Sequence, residues 1–414
     1  MRKSSLSIIF IIVFIDLLGF SLILPLLPFY AETFGANPAL VGLLVASYAA
    51  AQLVGAPLLG RLSDRFGRRP VLIISIFGTF VGFIMLGFAQ SLWMLFASRL
   101  LDGFTGGNIS VAQAYITDIT DEKNRARGLG LLGAAFGLGF IIGPAIGGTL
   151  SVYGYALPAF VAAGFSLLAL LGVVFFLPES LSDEVRAELT KRKQEEFKLK
   201  NLLKALTRPR VGPLLQVRFF YGLAFATFQT IFPLFALYQL SLDAQGTGYV
   251  LTYVGILVVF VQGFLVGRLA KRYRERILIF VSLIVMTISL FAWALTPNLF
   301  VLLIVLIPIA FSAGILNTIL NSALSKSVYQ EEVGGTLGIS ASLESLTRVI
   351  SPSAGGYLLG SFGTWAPGVV GGTIMVGTVI YAWRRLIQNP DPPLPERSVA
   401  NGVEVASVDL TQLD

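Results

Sequence analysis

Long apolar runs separated by short polar stretches recur along the whole chain. Twelve of them reach the roughly 20 residues that a helix needs to cross about 30 Å of hydrocarbon. Their approximate limits are 7–30, 39–60, 70–90, 92–117, 127–151 and 155–177, then 211–240, 246–267, 277–296, 299–322, 335–360 and 363–387. The pattern predicts an all-α membrane protein with twelve transmembrane helices. The first run follows Arg2 and Lys3 as a signal peptide would, but its length exceeds the roughly 7 to 15 residues of a signal core, so it is expected to be a retained helix.

The connecting stretches alternate in charge. Those after even-numbered runs carry Arg61, Arg65, Arg68, Arg69, Lys123, Arg125, the basic residues of 186–210 and 268–276, and Lys326. Those after odd-numbered runs carry no lysine or arginine. By the positive-inside rule the first set faces the cytoplasm, and both termini with it. The lipid bilayer is therefore the expected surroundings, and a bacterial inner (plasma) membrane the expected location.

Composition agrees with this picture and narrows the chemistry. Of 414 residues 55% are hydrophobic and 13% charged, against about 25% charged in soluble domains, which excludes a soluble globule. The net charge of +7 is spread over the loops rather than gathered on one face, so no nucleic-acid partner is expected. With no cysteine and no histidine, thiol chemistry, disulfides, histidine acid–base catalysis and metal ligation by those residues are excluded. No cofactor or metal is expected, and proton chemistry falls to Asp and Glu.

Two internal matches divide the chain. Gly60-Arg61-Leu62-Ser63-Asp64-Arg65-Phe66 resembles Gly267-Arg268-Leu269-Ala270-Lys271-Arg272-Tyr273 at an offset of 207. Gly143-Pro144-Ala145-Ile146-Gly147-Gly148 matches Ser351-Pro352-Ser353-Ala354-Gly355-Gly356 at an offset of 208. The repeat predicts two pseudo-symmetric six-helix bundles, 1–177 and 211–388, joined by a charged cytoplasmic linker at 178–210 and followed by a disordered cytoplasmic tail at 389–414. Paired bundles of this kind place a substrate cavity at their interface, opened alternately to each side.

Several motifs carry a resemblance. Gly60 to Pro70, with Asp64, Arg65, Gly67 and Arg68, reads as a tight cytoplasmic turn and resembles the signature loop of the major facilitator superfamily. Gly139, Gly143, Pro144 and Gly147 lie in a stretch of the fifth run that resembles the antiporter motif of that superfamily's drug exporters, where a gating role is implied; helix packing alone would also use such glycines. Asp16-Leu17-Leu18-Gly19 in the first run and Arg99-Leu100-Leu101-Asp102-Gly103 in the fourth resemble motifs of the twelve-helix drug:proton antiporters. The stretch from Arg99 to Gly148 is most similar to the tetracycline-efflux group. That group has acids in the third and ninth helices, and this chain has none in either run. In the superfamily the acid at the position of Asp64 is thought to face the N-terminus of the eleventh helix, here near Gly335.

An ionisable group at mid-membrane costs about 2.5 to 3.5 kcal/mol on insertion scales, so each one marks a candidate site. These are Asp16, Arg99, Asp102, Glu344 and Arg348, with Arg218 nearer the end of its run. Arg99 and Asp102 share one helical face, as do Glu344 and Arg348. Each pair is either a static ion pair or part of a proton route. Asp16 has no partner in its own run and is the first choice as proton carrier. Gln52, Asn108, Gln113, Gln229, Gln262 and Asn317 are candidates for a substrate cavity, or else bond to a neighbouring helix.

Together these features predict a secondary transporter rather than an enzyme, expected to be a monomer, that exports amphipathic or hydrophobic small molecules such as drugs in exchange for protons. A symporter or uniporter of a sugar or other metabolite, or a transport-inactive receptor, are the alternatives. The topology is testable in this cysteine-free chain. Single cysteines at Ser91 and Gly363 should react with a membrane-impermeant maleimide from outside intact cells; labelling only from the cytoplasmic side reverses the assignment.

Overall fold

The computed structural model describes residues 3–182, 184–187, 204–329, 332–388, 397–400 and 403–406. Helix 1 is Lys3–Ile23, extended after a turn by Leu27–Thr33; helix 2 is Pro38–Phe66 and helix 3 Arg68–Gly87. Helix 4 comes in two pieces, Leu92–Thr105 and Asn108–Ile119, followed by helix 5, Glu122–Ser151, and helix 6, Ala156–Phe176. The second set begins with helix 7, Val211–Leu240. Helix 8 is Ala244–Phe260 continued through a π turn, Val261–Leu265, into Val266–Arg272. Helices 9 to 11 are Glu275–Ala294, Leu299–Lys326 and Val333–Phe362. Helix 12 is Ala366–Ala382, prolonged by the π turn Trp383–Gln388.

Among the described residues, ten helices are long and apolar enough to cross a membrane. The two that fall short do so for physical reasons. Helix 4 is divided at Gly106 and Gly107, and helix 11 is diluted by Glu344, Arg348 and its many glycines and serines. Short polar side chains start several helices where an orphan backbone N–H needs an acceptor: Asn37 accepts from Leu40 N at 2.9 Å, Asp243 from Gly246 N at 2.7 Å and Asn298 from Val301 N at 3.0 Å.

The helices form two bundles, 1–6 and 7–12. Phe228, Phe232, Phe235 and Trp293 centre the core of the second. Leu17, Leu72, Tyr115 and Val173 centre one core of the first, at the end that bears the basic loops. At the opposite end, around Leu22, Leu44 and Phe83, a third core takes in Ile231, Leu234 and Leu359 of the second bundle, so the halves share apolar contact there.

Two glycine contacts make that junction tight. A Cβ on Gly42 of helix 2 would collide with the Pro352 carbonyl of helix 11 and lie 3.3 Å from the Gly356 Cα. A Cβ on Gly248 of helix 8 would lie 2.5 Å from the Pro144 carbonyl oxygen of helix 5 and 3.1 Å from the Gly148 Cα. Thr252 adds a hydrogen bond to the Ile141 carbonyl at 3.2 Å, and the Tyr238 hydroxyl donates to Glu32 across the same end. Toward the basic loops the helices part. Among the described residues, Gly130 and Gly133 of helix 5, Gly263 and Gly267 of helix 8, and Gly334, Gly335 and Gly338 of helix 11 have no atom of another element within 4 Å of where a Cβ would stand. The gap between the bundles is therefore sealed on the side of the loops without lysine or arginine and open on the other.

Three expectations change. Gly60 to Phe66 is helical, and the break is the single residue Gly67, whose φ of 105° favours glycine. Asp64 pairs with Arg68 of its own bundle at 2.6 Å, where the resemblance implied a contact with the start of helix 11. In the tail the described residues form a small antiparallel hairpin, Arg397–Ala400 with Val403–Ala406; the rest of the tail and residues 188–203 of the linker lie outside the described residues.

The seal gives a prediction. A Cβ on Gly360 would lie 3.5 Å from the Pro38 Cβ, within the span of a disulfide. Pro38→Cys combined with Gly360→Cys should cross-link under mild oxidation and arrest transport until reductant is added. Absence of the cross-link on a non-reducing gel would contradict the seal.

Candidate functional site

Two charged clusters flank the gap at the level where the helices part. In the first bundle the break in helix 4 sets the geometry. It leaves backbone carbonyls without helical donors, which lipid cannot satisfy; Ser75 donates to the Thr105 carbonyl, and Gln52 Nε2 donates to the Gly106 carbonyl at 2.9 Å and to the Tyr48 hydroxyl at 3.2 Å. Gln52 thus serves the helix 4 break rather than standing free in a cavity.

The second piece of helix 4 opens on Asn108, and its amide donates to Asp16 Oδ2. Asp16 is 5% exposed, and its other oxygen, Oδ1, is buried with no hydrogen-bond partner. Beside it lies a cavity of about 10 Å³, room for one water, lined by Ile12, Val13, Leu72, Ile76, Asn108 and Ile109. The carboxyl therefore points into its own bundle, toward helices 3 and 4. Sequence spacing had left it without a partner because Asn108 is 92 residues away.

Arg99 Nη1 meets Asp102 Oδ2 at 3.1 Å, and both are almost fully buried. The Arg99 guanidinium lies over the Phe83 ring at 5.3 Å, while its Nη2 is buried without a hydrogen bond. Tyr48 of helix 2, which accepts from Gln52, also packs on the Phe20 ring with centroids 5.2 Å apart.

The second cluster is larger than the sequence suggested. Glu344 accepts from Arg348 Nη2 at 2.8 Å, as its i+4 spacing predicts, and also from Arg218 Nη2 at 2.6 Å. Arg218 Nη1 donates to Asn317 at 3.0 Å. Arg218, set aside in the sequence for its place near the end of a run, is 6% exposed and ties helices 7, 10 and 11 together. Gln113, Gln229 and Gln262 are exposed. Gln262 lies in the π turn of helix 8, an irregularity often found at functional sites.

The glycine motif of helix 5 divides its faces. Cβ atoms on Gly139, Gly143 and Gly147 would press on Leu17, Ser21 and Leu22 of helix 1, and Ser21 donates to the Gly139 carbonyl at 2.8 Å. Pro144 and Gly148 face helix 8. The loop motif is pinned to its own bundle. Arg68 binds Asp118 at 3.0 Å and Ser63 Oγ at 2.6 Å, and Glu179 accepts from the backbone N–H groups of Arg68 and Arg69 at 3.0 and 3.1 Å, capping helix 3. Arg65 lies against Phe66, and Gly60 touches nothing that explains a glycine there. Glu179 and Asp118 were not singled out as site residues, since nothing in their spacing reveals contacts made over 50 to 111 positions.

Two bundles around a gap, with buried charges on both walls, are the architecture of a carrier, and the comparisons agree. The sequence profile of the Major Facilitator Superfamily matches residues 9–352 and 214–410. The chain belongs to the major facilitator superfamily. It is 32% identical to the class H tetracycline resistance protein of Pasteurella multocida over 92% of this chain and 94% of that one. It is 29% identical to solute carrier family 22 member 18 of Rattus norvegicus over 93% and 94%. Among solved structures it superposes on the nucleoside transporter NupG with a TM-score of 0.74 at 14% identity, and on the human organic anion transporter MFSD10 with 0.67 at 21%; each covers 92% of this chain and 99% of the other. This major facilitator protein is a multi-pass membrane transporter of small molecules.

The two carboxylates of the first bundle should differ in stability. Asp102→Asn leaves Arg99 buried without its counter-charge, a loss of about 3–5 kcal/mol. Asp16→Asn removes no ion pair and keeps a polar partner for Asn108. Thermal unfolding in detergent should drop markedly for the first and little for the second; equal shifts would deny the ion pair its weight.

Proposed function

We propose that this transporter exports amphipathic or hydrophobic small molecules in exchange for protons by alternating access, with Asp16 as the proton carrier. One observation carries the reading: Asp16 is a buried carboxyl at mid-helix whose Oδ1 has no partner and faces a water-sized cavity, while the other two membrane carboxylates are tied to arginine. A carboxyl without a counter-charge can change protonation at the least cost in broken pairs. The kinship with tetracycline resistance proteins supports efflux as the direction, and a proton entering through about 100 mV supplies about 2.3 kcal/mol, enough for roughly a fifty-fold gradient.

In this reading all twelve runs cross the membrane, the open end of the gap faces the cytoplasm, both termini lie there, and the protein works as a monomer in the bacterial inner membrane. Arg99 and Asp102 hold helix 4 beside Asp16, and Glu344 and Arg348 form the opposite wall. Gly139, Gly143, Pro144 and Gly147 gate the far end, while Gly60, Asp64, Arg65, Gly67 and Arg68 close the near end in the other state. Gln113, Gln229, Gln262 and Asn317 contribute polar contacts to substrate.

Purified protein in liposomes tests it. An imposed proton gradient should drive substrate uphill with protons moving the opposite way, and Asp16→Asn should abolish that while leaving binding detectable. Protons moving with the substrate would make the protein a symporter, and uphill export that survives Asp16→Asn would remove Asp16 from the role.

A further inference from the structure

Charge is distributed unevenly between the walls of the gap. In the first bundle Asp16, Arg99 and Asp102 are each at most 5% exposed. In the second, Arg218 and Arg348 share the single carboxylate Glu344, so the cluster carries one positive charge in excess. That excess is accessible, since the Arg348 side chain is 59% exposed.

Helical periodicity fixes where Arg348 points. At about 100° per residue, Pro352 lies about 40° from Arg348 and Gly356 about 80° on one side, while Ser351, bonded to the Leu223 carbonyl of helix 7, lies about 60° on the other. Arg348 thus stands between the face packed on helix 7 and the strip of Pro352, Gly356 and Gly360. Those three pack on Pro38 and Gly42 of the opposite bundle. Below Arg348 on that side, Ala341 and Gly338 are exposed. Arg348 therefore sits one turn beneath the seal, beside the strip of helix 11 that faces the other bundle, and is aimed into the gap rather than at lipid. An arginine in hydrocarbon is costly, and its retention here calls for a use.

The facing wall is aromatic. Phe20 and Tyr48 have ring centroids 5.2 Å apart, and Phe140 lies 6.4 Å from Phe20. Tyr48 follows Gly42 by six positions on helix 2 and Arg348 precedes Pro352 by four on helix 11, so both lie just below the contact of Gly42 with Pro352, on opposite bundles. We propose that the substrates are amphipathic organic anions, whose carboxylate or similar acidic group is bound by Arg348 while their apolar body rests on Phe20, Tyr48 and Phe140. A guanidinium presents a planar fork of donors that matches such groups. The buried acids of the first bundle do not compete for that fork, being turned into their own helices. The inference rests on the transport reading only in taking the gap as the substrate's place.

Three probes with one body and different charge test it: 1-pyrenebutyrate, 1-pyrenebutanol and (4-(1-pyrenyl)butyl)trimethylammonium, with binding to purified protein read by energy transfer from tryptophan. A charge-assisted pair predicts that the butyrate binds about tenfold or more tightly than the alcohol, with the ammonium weakest. Arg348→Gln should bring butyrate and alcohol within about twofold, because a neutral amide offers no charge to the carboxylate, and Arg348→Lys should keep a clear part of the difference. Glu344 retains Arg218 at 2.6 Å in both variants, and gel filtration verifies that each remains folded. Equal binding of the three probes, preference for the ammonium, failure of the butyrate to bind, or a butyrate preference undiminished in Arg348→Gln would each overturn the proposal. Proton flux separates the two readings. Anion selectivity without coupled proton movement sinks proton exchange alone, and coupled movement without anion selectivity sinks this inference alone.

Discussion

Where glycine meets carbonyl, the two bundles touch, and most of the functional geometry depends on that contact. Gly42 lies against the Pro352 carbonyl and Gly248 against the Pro144 carbonyl, closer than any side chain would allow. In lipid there is little hydrophobic drive to bring helices together, so close backbone approach and the dispersion it permits must supply the attraction. The two contacts are equivalent under the internal duplication, since Pro352 follows Pro144 by 208 positions and Gly248 follows Gly42 by 206. A seal built twice from the same parts can hold the bundles at one end while leaving the other end free to part, which is the arrangement seen.

The scaffold is duplicated but the charges of the gap are not. Near the basic loops the repeat survives with its signs exchanged. Arg68 pairs with Asp118 in the first bundle, and at the matching positions Glu275 pairs with Lys326 at 2.6 Å in the second. Such pairs brace a bundle whichever partner is the acid. Deeper in the membrane the correspondence ends. Glu344 and Arg348 stand where the first bundle has Phe136 and Phe140, and no carboxylate of the second bundle matches Asp16. Bracing needs only complementary charge, whereas a carrier that treats protons and substrate differently needs unlike walls.

The helices and the repeat were legible in the sequence because both are periodic: apolar runs near the thickness of a bilayer, alternate loops without lysine or arginine, and two matched segments. Ion pairs within one turn, Arg99 with Asp102 and Glu344 with Arg348, were legible for the same reason. What could not be read depends on which helices adjoin. Asn108 reaches Asp16 only because helix 4 breaks at Gly106 and Gly107, and the run through 92–117 hides that break under uniform hydropathy. Arg218 looked peripheral by depth, yet it is drawn into the core of its bundle by Glu344 and Asn317 on two other helices. The turn expected over Gly60 to Pro70 shrank to Gly67, because Glu179 caps the next helix at once and leaves no need for a longer loop.

A carrier can be driven between states only by groups whose interactions differ in the two states, so the placement of the charged groups relative to the seals matters more than their mere presence in the membrane. Both lie next to a seal. Asp16 adjoins Leu17, against which a Cβ on Gly139 would rest at 3.4 Å, and the next turn of helix 5 carries Pro144 to the contact with Gly248. Arg348 lies one helical turn from Pro352, which meets Gly42. A change of charge at either group acts on a helix already pressed against the opposite bundle, and close-packed helices transmit a shift rather than absorb it. If Asp16 carries the proton and Arg348 meets the substrate, as proposed, the two need not touch each other to be coupled: each would act on one of two equivalent seals, and a rigid bundle cannot open one of them alone.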